Sequence, residues 1–98
     1  MNEDQMSSEF YPIEEILGSK GRLKILKTLA INIELNISAI IDNTNLNHKI
    51  VDNHLRVLKK IGIIQEKRFG RIRIYRYKLE NLKARSLKKF IEIWESRY

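Results

Sequence analysis

Apolar residues recur at helical spacing near the middle of the chain. Between positions 51 and 61 they are separated by four, three and three residues, which places them on one stripe of an α-helix. Asn47 precedes the stripe, where its side chain can accept a hydrogen bond from a free backbone N–H of the first turn. Gly62 follows the stripe, and glycine readily adopts the left-handed conformation that ends a helix. The pattern predicts a helix over residues 48–61, with Val51, Leu55, Leu58 and Ile61 facing inward.

A strand pattern follows this helix directly. Ile63 and Ile64 begin a first strand, and β-branched or aromatic residues alternate with arginine from Arg71 to Tyr77. Gly70, between the two stretches, is a turn signal. The alternation predicts a β-hairpin whose second strand has two distinct faces. One face carries Ile72, Ile74 and Arg76, and the other carries Arg71, Arg73, Tyr75 and Tyr77.

Two helices are predicted before residue 34. Pro12 suits the first turn of a short helix that ends at Gly18. Ser19 is placed to cap a longer helix that follows. The residues expected to face the core are Ile13, Ile16 and Leu17 in the first helix and Leu23, Leu26, Leu29 and Ala30 in the second.

A third helix is predicted from Ile37 to about Asn43, capped by Asn36. The extended pair before it, residues 34–35, can form a short strand that pairs with the hairpin. A polar turn at residues 43–45 and one apolar residue, Leu46, separate this helix from the next. A helix, a tight turn and a second helix with an exposed polar N-terminus form a helix-turn-helix.

A last helix, opening at Glu80 or Asn81, carries an apolar seam at heptad-like spacing. The seam residues are Leu87, Phe90, Ile91, Trp94 and Tyr98. This helix either packs back on its own domain or pairs with the same helix of a second copy. The large aromatic residues favour the second interpretation, which gives a two-fold dimer with this seam as its interface.

The net charge of +7 is unevenly distributed. Residues 1–15 hold five acidic residues and no basic one, so the rest of the chain holds all 19 basic residues and a net charge of +12. A strongly basic body favours an anionic partner. Because the basic residues lie on a helix followed by a hairpin, double-stranded DNA is favoured over a membrane surface, for which a free amphipathic helix would be expected.

The polar face of the helix over residues 48–61 has the donors that read base edges in a major groove. Many soluble helices have a polar face, but few are followed by a basic hairpin, which can contact phosphates or a minor groove. The candidate helix contacts are Asn47, His48, Lys49, Asp52, Asn53 and Arg56. The candidate hairpin contacts are Lys67, Arg68, Arg71 and Arg73.

Several classes of function are not supported by the sequence. The chain has no cysteine, no apolar run near 18 residues and no signal-peptide pattern, so we expect a cytoplasmic, nucleoid-associated protein without membrane contact. It also shows no carboxylate pair, nucleophile with a base, phosphate-binding glycine loop or metal-ligand spacing. We therefore expect neither an enzyme nor a bound metal or cofactor.

Four stretches resemble the winged helix-turn-helix repressors of the ArsR type, including archaeal regulators of that superfamily. They are Gly21–Leu26 (GRLKIL), Asn36–Ile40 (NISAI), Asn53–Ile64 (NHLRVLKKIGII) and the hairpin from Gly70 to Tyr75. The resemblance implies a homodimer on a palindromic operator, with the recognition helix in the major groove and the wing on flanking backbone. Metal-responsive members of the family carry cysteines near the third helix or histidine and acidic ligands on the last one. This chain has no cysteine, and residues 82–98 contain no histidine.

The predicted fold is mainly α with a small β-hairpin, a winged helix-turn-helix with an extra C-terminal helix for dimerisation. The predicted division is a disordered acidic tail (1–9), a DNA-binding domain (10–79) and a dimerisation helix (80–98). The favoured function is a sequence-specific transcription regulator, a repressor. An architectural DNA-binding protein with little sequence preference and a winged-helix protein-interaction module stay open as alternatives.

Overall fold

The computed structural model describes residues 10–96 as five α-helices and a three-stranded antiparallel sheet. The predicted acidic tail, residues 1–9, and Tyr98 of the predicted seam lie outside this range. In chain order the elements are α1 (Ile13–Leu17), α2 (Lys20–Asn32), β1 (Glu34–Asn36), α3 (Ile37–Thr44), α4 (His48–Ile61), β2 (Ile64–Phe69), β3 (Ile72–Tyr77) and α5 (Leu82–Trp94). The mainly helical chain with a C-terminal-half hairpin is confirmed.

Side-chain caps fix where four of these helices begin. Ser19, Asn36, Asn47 and Asn81 each accept a hydrogen bond, at 2.8 to 3.2 Å, from a backbone N–H three residues further on. Such a cap stabilises a helix by about 1 kcal/mol because the first turn has no internal partners for its N–H groups. Gly62 ends α4 with a φ of 96°, which a residue with a side chain adopts only with strain. The helix over 48–61 therefore begins and ends where the sequence predicted.

The sheet has the order β1-β3-β2, and β3 is its central strand. Leu35 of β1 and Glu66 of β2 both lie opposite Tyr75 of β3, so the predicted pairing of residues 34–35 with the hairpin is confirmed. The two faces of β3 alternate as predicted. The face with Tyr75 and Tyr77 is buried against the helices, and the face with Ile72 is directed outward. We refer to β2, β3 and their turn, residues 64–77, as the wing.

The core lies between the sheet and helices α2, α3, α4 and α5. Its fully buried large residues include Ile25, Leu26, Leu29, Ile40, Val51, Leu55, Leu58, Ile63, Tyr75 and Tyr77. Replacing one of the aliphatic residues by alanine would cost roughly 2 to 5 kcal/mol, the lost burial plus the cavity. Tyr77 also joins the sheet to α5, because its hydroxyl donates to the carbonyl oxygen of Ala84 at 2.5 Å. Burial raises the pKa of Tyr77 to about 12.

The inward face predicted for α1 is wrong at two of three positions. Ile16 is 3% exposed, but Ile13 and Leu17 are 57% and 40% exposed. A helix of five residues brings only one side chain under α2, and its neighbours then remain on the surface.

The predicted turn at residues 43–45 is also shorter than expected. Thr44 belongs to α3, is buried and donates to the carbonyl oxygen of Ile40, and Asn45 ends the helix with a φ of 63°.

Candidate nucleic-acid interface

The N-terminal end of α4 is exposed and polar. Asn47 uses its side-chain oxygen to cap the helix, accepting from the N–H of Ile50 at 2.9 Å, so its amide NH₂ is the group left to bind a ligand. His48 and Lys49 are both exposed in the first turn. Ile50, beside them, is 40% exposed, and an exposed apolar residue here can contact a thymine methyl group. Ile50 was not among the predicted contacts, because its apolar side chain lacks the donors that distinguish the polar face of α4.

Asn53 and Arg56 lie together on the outward side of α4. The Arg56 guanidinium donates to Oδ1 of Asn53 at 3.3 Å, and the Arg56 side chain is 68% exposed. It also lies 3.6 Å from the carboxylate of Asp52, one turn earlier. These contacts preorganise the arginine without burying it. Both predicted side chains are therefore accessible to a base edge or phosphate.

Asp52 and Arg73, both predicted as DNA contacts, are brought against each other. Arg73 Nη2 lies 2.6 Å from Asp52 Oδ1, so the pair joins α4 to the central strand of the wing. The Arg73 side chain is 20% exposed, lies over the ring of Tyr75 and donates to its hydroxyl. The hydrogen bond from Arg73 holds the pKa of Asp52 below its usual value, and the same bond raises the pKa of Arg73.

Glu66 of β2 lies at the centre of a second ionic cluster. Its carboxylate accepts from Lys59 at 2.7 Å, from Arg68 at 2.9 Å and from Arg73 at 3.4 Å. The hydrogen bond from Lys59, followed by the other nearby cations, lowers the pKa of Glu66 to about 2. Glu66 was not among the residues predicted to be functional. Its signal was that Glu66 is the single acidic residue among residues 65–77.

The remaining wing residues differ in how strongly they are engaged. Lys67 lies on the outer face of the sheet, 3.7 Å from the carboxylate of Glu34 on β1. Arg71 follows Gly70 at the hairpin tip, is exposed, and forms no ion pair with any residue in 10–96. Phe69 and Ile72 lie opposite each other at the same tip and are 61% and 54% exposed.

His54 has a different position from His48. It lies on the side of α4 that faces α2, where it is half-buried. A side-chain carbon at Gly21 of α2 would lie 3.1 Å from the imidazole Nε2 of His54, so the two helices approach closely here. His54 is therefore a packing residue rather than a member of the exposed face. Among residues 10–96, no group of three or more histidine, cysteine, aspartate or glutamate side chains could hold a metal ion.

The predicted seam of α5 is divided between two surroundings. Ile91 is 7% exposed and belongs to the core, and Leu87 is half-buried against it. Phe90 and Trp94 are 51% and 74% exposed, with ring centroids 5.8 Å apart. They border an apolar groove of about 330 Å³ that Leu17 of α1 also lines. We refer to the exposed apolar residues that line this groove, Leu17 of α1 and Phe90 and Trp94 of α5, as the apolar face.

No helix within residues 10–96 is long and apolar enough to span a membrane. Sequence comparison gives a match over residues 19–66 to the profile described as "Bacterial regulatory protein, arsR family". An uncharacterized HTH-type transcriptional regulator of Methanocaldococcus jannaschii is 35% identical over 63 residues, which are 64% of this chain and 71% of that protein.

Structure comparison gives two informative similarities. The first is a homodimeric winged helix-turn-helix DNA-binding domain from Mycobacterium bovis, described as a possible ArsR-family regulator. It has 25% identity and a TM-score of 0.67, over 93% of this chain and 78% of that one. The second is reduced HlyU from Vibrio cholerae, with a TM-score of 0.75 over 96% of each chain. At 16% identity the second similarity concerns the fold alone.

Proposed function

We propose that this chain, which belongs to the ArsR family of winged helix-turn-helix transcriptional regulators, binds double-stranded DNA as a homodimer and represses transcription. One observation carries the proposal. The first turn of α4 is polar and exposed, while ion pairs from Asp52 in its second turn and Lys59 in its last turn attach the helix to a basic wing. Two elements that can enter adjacent grooves are thereby held as one unit.

In the proposed complex the first turns of α4 lie in the major groove. Lys49 and Arg56 match the acceptors of guanine, and Asn53 matches the donor and acceptor of adenine. Asn47 and His48 lie at the same end and complete the candidate reading surface. Asp52 and Arg73 were also predicted as contacts, and we propose that they orient the wing through their ion pair rather than touch bases.

The wing is proposed to contact the backbone or the minor groove beside the α4 site. Arg71 is placed for this at the exposed tip, and Arg68 has a side chain that is 63% exposed. Lys67 is 38% exposed and directed to the outer face of the sheet. Phosphate contacts of this kind fix the register of the protein on DNA without reading its sequence.

The homodimer is proposed to form through the apolar face. Phe90 and Trp94 expose two large rings on one helix, an arrangement that a second copy would cover. The similar Mycobacterium bovis domain is homodimeric, which supports a homodimer here. Leu87 and Tyr98 are proposed to join the interface, whereas Ile91 supports it from the core side. A two-fold pair would place the two α4 helices about one DNA turn apart, roughly 34 Å.

Repression would follow from occupancy, since a dimer bound across a promoter excludes other proteins from the same DNA. The proposed location is accordingly the cytoplasm, on the nucleoid, and the proposal needs no metal or cofactor.

The experiment that tests this function is selection of bound sequences from a random duplex pool near physiological salt. We expect a two-fold symmetric motif whose half-site spacing gives the distance between the α4 helices. Tight binding with no motif would replace the proposal by the architectural alternative, because phosphate contacts alone bind all sequences. Absence of binding to any duplex would overturn DNA binding altogether and favour a protein-interaction module.

A further inference from the structure

Glu66 faces α4 from the inner side of the wing. Its side chain is 10% exposed, and all three of its ionic partners are cations of α4 or the wing. We refer to the surface that α4 and the wing form together, which is proposed above to bind DNA, as the α4–wing surface. Two of them remain accessible, since the side chains of Lys59 and Arg68 are 47% and 63% exposed. The carboxylate is thus enclosed, while the cations that it holds reach solvent.

The strand register explains why an acidic residue is needed at this position. Arg68 of β2 lies directly opposite Arg73 of β3, and like charges in directly opposed positions destabilise a sheet. Glu66 lies on the same face, two residues before Arg68, and accepts from both arginines. Its charge offsets the repulsion between them and links β2 to α4 through Lys59.

The cluster borders a polar cleft of about 170 Å³ between α4 and the wing. The charged residues that line it are Asp52, Arg56, Lys59, Glu66, Arg68 and Arg73. A DNA backbone running between the groove that holds α4 and the groove beside the wing would pass this cleft. The phosphates of this backbone would then compete with the carboxylates of Asp52 and Glu66 for the same cations.

We propose that Glu66 is an internal competitor of DNA phosphate, which limits the affinity of the α4–wing surface for DNA of any sequence. The inference rests on the proposed DNA-binding function. A cation already neutralised by a carboxylate contributes little to the release of condensed counterions, the main source of sequence-independent affinity. Restraining that affinity matters because a genome offers an excess of non-specific sites.

The test is the variant Glu66→Gln, titrated with a random-sequence duplex between 50 and 200 mM salt. The substitution keeps the size of the side chain and removes its charge. We expect tighter binding, by about tenfold at 50 mM salt for each new phosphate contact, and a slope of log K against log salt that is steeper by about 0.9 per contact. The matched control is Glu80→Gln, which also removes one negative charge. The cation that loses its partner in this variant is Arg76, at the base of the hairpin.

The result that overturns the inference is equal affinity and equal salt slope for Glu66→Gln and Glu80→Gln, with both variants folded. If wild-type protein binds no duplex at all, the proposed function fails instead, so the two failures are distinguishable. Thermal unfolding followed by circular dichroism establishes that each variant is folded.

A second pair of variants decides the question if Glu66→Gln does not fold. Lys59→Ala removes a cation that Glu66 already neutralises, whereas Arg71→Ala removes one without an ion pair within residues 10–96. We expect Arg71→Ala to lower the affinity for random duplex and to flatten its salt slope by about 0.9, and Lys59→Ala to change both by less than half as much. Equal losses would overturn the inference.

Discussion

Arg22 of α2 donates a hydrogen bond from its Nε to Nδ1 of His54 on α4, over 3.2 Å. The other end of the same guanidinium donates to the backbone carbonyl oxygen of Glu15, in α1. One side chain therefore connects the short helix of the apolar face to the proposed recognition helix. The imidazole must be neutral to accept this bond, because a protonated Nδ1 has no lone pair to offer.

We expect the free energy of unfolding to decrease as the pH falls, because His54 is protonated more readily in the unfolded protein. Burial, and then the charge of Arg22, lower the pKa of His54 below 6.5. The folded state therefore binds fewer protons than the unfolded state near this pH. The contribution is complete above about pH 6.5 and is lost as the pH falls below it. Denaturant unfolding at pH 7.5 and 5.5 should show a drop in the free energy of unfolding that His54→Gln reduces. The same substitution at exposed His48 is the control, and an equal drop in both variants would contradict the assignment.

Arg73 and Arg71 should differ in what they stabilise. Arg73→Ala leaves the carboxylate of Asp52 without its 2.6 Å partner and weakens the contact to Glu66, so we expect a loss of roughly 1 to 3 kcal/mol in the free energy of unfolding. Arg71→Ala, at the exposed tip, should change it by less than about 0.5 kcal/mol. Urea titration of the two variants measures this difference. Equal stabilities would show that the Asp52–Arg73 pair has no net role in folding.

Lys49 and Asn53 should determine base preference. Alanine at either position is expected to cost roughly 1 to 3 kcal/mol on the selected motif and to relax the preference at particular bases. Arg71→Ala, in contrast, should weaken binding to all sequences alike. Binding measured on the selected motif and on single-base variants separates these outcomes. If neither Lys49→Ala nor Asn53→Ala changes DNA binding, the assignment of the α4 surface is wrong.

Trp94 should control the assembly of the protein. Trp94 is 74% exposed in one chain, so Trp94→Ala removes surface that the proposed second copy covers, and we expect a shift toward monomer in sedimentation equilibrium. Phe69→Ala is the matched control, since it removes the ring of a residue that is 61% exposed at the tip of the wing. An unchanged mass of Trp94→Ala at low concentration would reject the apolar face as the interface.

Local chemistry explains which elements the sequence could predict. The ends of α4 depend on Asn47 and Gly62, and each acts within one helical turn of its own position. The hairpin was equally accessible, because strand alternation and the turn at Gly70 are also local features. Membership of the ArsR family was predicted from four short stretches, and the comparisons confirm it.

The contacts that the sequence did not reveal join residues far apart in the chain. Arg73 reaches Asp52 across 21 positions, and nothing in an arginine distinguishes one that will pair from one, such as Arg71, that stays exposed. Similarly, Ile91 and Trp94 belong to the same regular apolar spacing on α5, but Ile91 is buried in the core and Trp94 is exposed. The spacing alone does not distinguish them. Both distinctions arise from packing between elements rather than from the pattern along one element.

The two ends of α4 also differ in how freely they can change over generations. His48 and Lys49 are exposed at the end beyond the ion pairs, so substitutions there should leave folding almost untouched. Lys59, in the last turn, is tied to the wing and is constrained by Glu66. After a gene duplication, one copy could therefore acquire a new target site through one or two changes in the first turn, while the rest of the molecule stays as it was.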